Sequence, residues 1–248
     1  MATDKEHLRR VISTADSQVE RLGDINASLF QALTQLLAGA PLQEGRLFDV
    51  AWALGIRADL ERIVREEFLG PIDLMIREYG PIAEELRDML AEYAPFARLD
   101  AAVVGQLQTM AYQGFESLGQ EFVETVARQV YENSLTTATF SEGVAAIQSS
   151  VDVSLGRFAK TALHDSLMQF DAVLNTQMSL DAGAEKFLYY GPDDEVTRDH
   201  CDKHVGKVMT LEEIEEAWSG DWAGKIDGNP LNVRGGYNCR HHFRGYWE

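Results

Sequence analysis

The sequence predicts a mainly α fold, with a long helical N-terminal arm or bundle followed by a small α+β C-terminal module. Three observations predict it. Apolar residues recur at three- to five-residue steps from about residue 5 to residue 132, the spacing that lines one face of a helix. After Gly183 the helical period stops and short aromatic runs bounded by turn residues take over. Between them, the stretch from Leu135 to Ser141 is rich in β-branched and hydroxyl side chains and reads as a linker. The expected division is therefore a helical arm over residues 1–137 and an α+β module over residues 138–248.

In chain order, Leu8, Val11, Ile12, Ala15, Val19 and Leu22 form a first stripe, with Gly23 as its stop. A second helix is expected over 25–37, ahead of Gly39 and Pro41, and a third over 46–54, closed by Gly55. The 58–68 segment is helical until Gly70 and Pro71 break or kink it. Helix resumes over 74–79, and Pro81 then opens a helix reaching Tyr93. Residues 99–132 contain no proline and predict one long helix or two, with Gly114 or Gly119 as weak points. Ser141 is placed to cap a short helix over 142–147, and a further helix runs over 155–177, with His164 satisfied within it. Strands are expected at 186–190 and 207–210. Thr210 and Glu213 have the spacing of a capping box opening a helix to Trp218.

Bulk composition excludes several functions. The net charge of −18 with no Lys/Arg block repels bare nucleic acid, so tight gripping of DNA is not expected. No run approaches the roughly 18 apolar residues needed to cross a membrane. The polar start lacks the order of a signal peptide and predicts a chain kept in the reducing cytoplasm where it is made.

Both cysteines and four of the six histidines fall in the last fifth of the chain. They form two short clusters, Cys201 with His204, and Cys239 with His241. Paired soft ligands at these spacings suit a tetrahedral structural zinc site, the first pair within one turn and the second on one side of an extended segment. Two other arrangements fit the same residues: reduced thiols packed side by side in a core, and a disulfide. Around them, Asp194, Thr197, Arg198, His200, Asn238, Arg240 and His242 are expected to form a polar network, with turns at Gly206, Gly235 and Gly236. The glycine pair Gly235 and Gly236 supplies a tight turn delivering Cys239 inward. No catalytic residue is assigned, because no metal-binding helix bearing a general base is present.

The run Asp194, Thr197, Arg198, Cys201, His204, Gly206, Lys207, Val208, then Thr210, Glu212, Glu213 and Ile214, and finally Gly235 through His241, is similar to the C-terminal module of phage Mu F-like minor head proteins. The similarity covers roughly residues 140–245; the helical arm is outside it. It implies a virion component of a tailed phage, made in the host bacterial cytoplasm and present in several copies. Such a component sits at the head or portal vertex, contacts portal or capsid proteins, and contributes to head assembly, DNA packaging or ejection, with genome DNA nearby. It implies no enzyme activity. A departure is the stretch Ala159 to His164, where family members carry an arginine-bearing helix. The competing expectation is a metal-dependent, nuclease-like hydrolase using the Cys/His cluster.

Overall fold

The computed structural model describes residues 4–47, 49–91, 99–136 and 139–247. The chain is mainly α. In order it runs α1 (Asp4–Ala38), the short strands β1 (Leu42–Gln43) and β2 (Arg46–Leu47), α2 (Val50–Gly55), α3 (Arg57–Val64), α4 (Gly70–Arg77), α5 (Tyr79–Leu90), α6 (Ala101–Leu135), α7 (Phe140–Ser150) and α8 (Ala159–Asp181). The C-terminal part adds β3 (Lys186–Tyr190), α9 (Asp199–Asp202), β4 (Val208–Thr210), α10 (Leu211–Trp218), α11 (Pro230–Val233) and β5 (His242–Tyr246).

Several expected breaks are absent. Gly23 does not end the first helix: α1 continues because Ile25, Leu29, Leu33 and Leu37 extend the buried stripe, at a cost of about 1 kcal/mol for the glycine. Gly70 and Pro71 do not break the chain either. A π-helical turn over Arg65–Leu69 widens the coil just before Pro71, where an α-turn would set the ring against a carbonyl. A second π-helical stretch, Val151–Phe158, joins α7 to α8. α6 is a single helix, and Gly119 lets it approach closely: a Cβ there would lie 3.0 Å from Val64 Cγ1. The expected helix at 46–54 starts only at Val50, because Arg46 and Leu47 pair with Gln43 and Leu42 across a turn with positive φ at Glu44 and Gly45. Thr139, not Ser141, caps α7; its hydroxyl accepts from the Glu142 N–H, and the Glu142 carboxylate accepts from the Thr139 N–H at 2.7 Å. The expected end of the Pro81 helix at Tyr93 lies outside the described residues.

The chain groups into two compact units. One takes Met1–Ser17, Arg77–Gln108 and Leu163–Glu248; the other takes Gln18–Ile76 and Thr109–Ala162. The first unit thus draws on both sides of the 137/138 boundary read from composition. The second unit is helical apart from the β1–β2 hairpin.

In the first unit β3 is the centre of an antiparallel sheet of order β4-β3-β5, with Phe187 opposite Met209 and Tyr189 opposite Phe243. The tail at 242–246, which carries no clear strand signal, is thus an edge strand. α8 covers that edge: Asn175 Nδ2 donates to the Phe243 carbonyl at 2.8 Å, and the Gly245 N–H donates to Ser179 Oγ at 3.1 Å. These bonds satisfy backbone groups that would otherwise template another strand. The expected capping box opening α10 is present, with the Thr210 hydroxyl accepting from Glu213 and Glu213 accepting from the Thr210 N–H. Phe187, Tyr189, Met209, Ile214, Trp218, Leu231 and Phe243 build a core that also takes in Cys201 and Cys239.

Candidate metal centre

Cys201 lies on the single turn of α9, after Arg198 in extended conformation. Its carbonyl accepts from the N–H groups of His204 and Val205, which fixes the turn. Cys239 arrives from the other side. Asn229 caps α11 by accepting from the Leu231 N–H, Pro230 takes the first helical position, and the chain then curls through positive φ at Arg234, Gly236 and Asn238. His241 immediately precedes β5, two residues past Cys239.

Cys201, Cys239 and His241 meet. Their donor atoms all lie within 4.8 Å of one another, and the three residues are 1%, 1% and 3% exposed. His241 Nδ1 is 3.9 Å from Cys239 Sγ. The cysteines are free thiols. The Gly235 N–H donates to Cys239 Sγ at 3.2 Å, and the Tyr189 hydroxyl donates to Cys201 Sγ at 3.3 Å. The thiols share one hydrogen bond, which pulls Cys239 down and pushes Cys201 up; His241 and Arg234 lower Cys239 further, while burial raises Cys201 further. Two soft sulfur donors and one imidazole, desolvated and convergent, can hold a metal ion.

His204, expected as the fourth member, is not in the group. Its Nδ1 donates to the His200 carbonyl at 2.7 Å, and its ring packs on Trp218 at 4.9 Å. The one-turn spacing that brings its backbone to Cys201 sends its ring the other way. His200 stacks on Trp222 at 3.6 Å with rings 3° from parallel; burial, then nearby His204, lowers its pKa to about 4.

The expected network residues bond in separate groups. Asp194 Oδ1 pairs with Arg240 at 2.5 Å and accepts from the Val196 N–H and the Thr197 hydroxyl at 3.2 Å each. Arg198 donates to the Tyr237 carbonyl. The Asn238 N–H donates to Asp165 at 2.8 Å, and the Gly206 N–H to the Tyr189 carbonyl at 2.8 Å. His242 instead turns toward α8, with Nδ1 3.2 Å from Asp171 Oδ2. His164 contacts Asp165 at 3.2 Å inside α8.

Four participants escaped the sequence reading: Tyr189, Arg234, Asp171 and His7. Tyr189 had a signal, since alternation along β3 puts Phe187 and Tyr189 on the same face. Asp171 and His7 had none, being single polar residues on otherwise ordinary amphipathic helices.

No helix among the described residues is long and apolar enough to cross a membrane. Comparison of the chain with protein-family models, with characterised proteins and with solved structures finds no match.

Proposed function

We propose that this chain is a structural component of a tailed-phage head, placed at the portal vertex, whose C-terminal part is fastened by a zinc ion on Cys201, Cys239 and His241. The observation that carries the fastening role is burial. The donors come from two segments separated by β4, α10 and α11, and they meet where almost no solvent reaches. A catalytic metal needs a position open to water and substrate, whereas a structural one is closed by protein. The bound ion would supply a cross-link between α9 and the strand-leading loop, adding to the core of Phe187, Tyr189, Trp218 and Phe243 around it. The portal assignment is supported by the similarity of the run from Asp194 to His241 to Mu F-like modules. Contacts with portal or capsid proteins are part of the same reading, as is presence in several copies near the genome without gripping it.

The test pairs metal analysis with assembly. Protein purified under reducing conditions should carry one zinc per chain. Cys201→Ser should lose that zinc and lower incorporation into phage heads. A full complement of the variant in normal particles would overturn the structural role, and a hydrolytic turnover lost with the fold intact would replace it with an enzymatic one.

A further inference from the structure

Away from the cysteines, α1 and the end of β3 enclose a groove of about 520 Å³. Sites that take a small ligand or a short peptide are of this size. The floor is aliphatic: Leu8 is buried, while Ile12, Leu188 and Val205 are only half-buried and line the open space. The far wall is already fixed. The Thr197 hydroxyl donates to the Pro192 carbonyl at 3.1 Å, Arg240 holds Asp194 at 2.5 Å, and the Gly206 N–H donates to the Tyr189 carbonyl at 2.8 Å. A groove formed in advance loses little entropy when it is filled.

Two cations stand on the rim. Lys5 and Arg9 are exposed and lie one turn apart on α1. Their neighbours are paired, Arg10 with Glu85 and Asp4 with Arg244, but Lys5 and Arg9 enter no ion pair among the described residues. Like charges at this spacing work against the helix that carries them. Across the groove Asp194 is committed to Arg240, which leaves Asp193 as the acidic side chain facing two cations. The groove is therefore locally positive in a chain of net charge −18.

We propose that this groove binds a short extended segment of a partner protein in which one carboxylate side chain stands between two aliphatic ones. From Lys5 to Ile12 the α1 wall is about 10 Å long, the span of about three extended residues. In such a segment the outer two side chains point the same way, down to the floor, and the middle one points up to the rim. A carboxylate there meets Lys5 and Arg9. The net charge of −18 repels an acidic protein at a distance, so the segment belongs to a partner that is neutral or basic overall rather than to a second copy of this chain. The site does not depend on a metal being bound.

The peptide acetyl-Ala-Leu-Glu-Val-Ala-amide, titrated into the methyl-labelled full chain and followed by nuclear magnetic resonance, tests this. The expected result is a saturable shift of the Leu8, Ile12, Leu188 and Val205 methyl signals. Replacing the peptide's glutamate by glutamine should weaken binding at least about fivefold, and so should the double variant Lys5→Gln/Arg9→Gln with the original peptide. Both side chains are exposed, so the variant should keep the other methyl signals of the wild type, which checks its fold. No shift of the four methyl groups at about 10 mM peptide, where even millimolar binding registers, would overturn the site. Equal affinity for the glutamate and glutamine peptides would overturn the acidic segment. A wild-type dimer in sedimentation that the double variant abolishes would give the groove to a second copy and overturn the partner.

Discussion

His7 and Asp171, 164 positions apart, meet at 2.8 Å with both side chains buried. The other ring nitrogen of His7 faces Glu85 at 3.3 Å, and Glu85 also pairs with Arg10 at 3.0 Å. With carboxylates on both sides the imidazole's pKa is raised: burial pulls it down, but Asp171 and Glu85 together outweigh that. Burial likewise opposes charge on Asp171, yet His7 and His242 hold its carboxyl below its ordinary value. One clasp therefore joins α1, α5, α8 and β5.

Removing one member of such a buried pair costs more than the pair contributes, because the remaining charge is stranded. His7→Ala should destabilise the protein by about 3–5 kcal/mol. Urea unfolding measures this. A loss under about 1 kcal/mol would mean that Asp171 finds other partners.

The clasp also predicts a pH window. His7 is raised, so its contribution is whole below its ordinary 6.5 and is lost as pH rises through the higher folded value. Asp171 is lowered, so its contribution is whole above 3.8 and is lost as pH falls through the lower folded value. The clasp is complete between these limits and weakens on the alkaline side. Tyr190 and His242 also face Asp171: burial raises the pKa of the phenol and lowers that of the imidazole. In Asp171→Asn the alkaline decline in unfolding free energy should flatten; parallel curves for variant and wild type above pH 6.5 would contradict the clasp.

The sequence carried the helices because their stripes are periodic, and it carried β3, β4 and the Thr210 capping box because each has a local chemical signature. It placed breaks at Gly23 and at Gly70 and Pro71 because these residues are punctuation only when packing does not override them. The approach of Cys201 to Cys239 and His241 was legible from clustering and spacing. The exclusion of His204 was not, since it depends on which way a ring turns from a four-residue helix. The clasp was illegible: no local pattern marks a histidine whose partner is on another helix.

A chain beginning at residue 138 should not fold cooperatively. It would lack His7 and Glu85, and also Tyr79, whose hydroxyl meets Ser166 at 2.6 Å and whose ring packs on Phe170 at 5.1 Å. The expected result is a loss of near-ultraviolet circular dichroism and of slow amide exchange in the β3–β5 sheet. A sharp, single unfolding transition for that fragment would show that the C-terminal module is self-sufficient.

Two adjacent glycines separate folding from metal binding. A Cβ at Gly236 would stand 1.9 Å from the Gly224 carbonyl oxygen, at a φ of 97° that side chains rarely adopt. The obstacle is backbone, so Gly236→Ala should cost at least about 3 kcal/mol. A Cβ at Gly235 would instead stand 2.4 Å from Cys201 Sγ and 2.9 Å from Cys239 Sγ. Thiols can rotate aside, so Gly235→Ala should keep most of its stability when metal-free while zinc affinity falls at least about tenfold, because the displaced sulfurs no longer converge. Thermal unfolding with and without a chelator reads both effects: chelation should lower Tm in wild type and change it little in Gly235→Ala. Equal chelator shifts in the two proteins would show that the sulfurs are not the ligands.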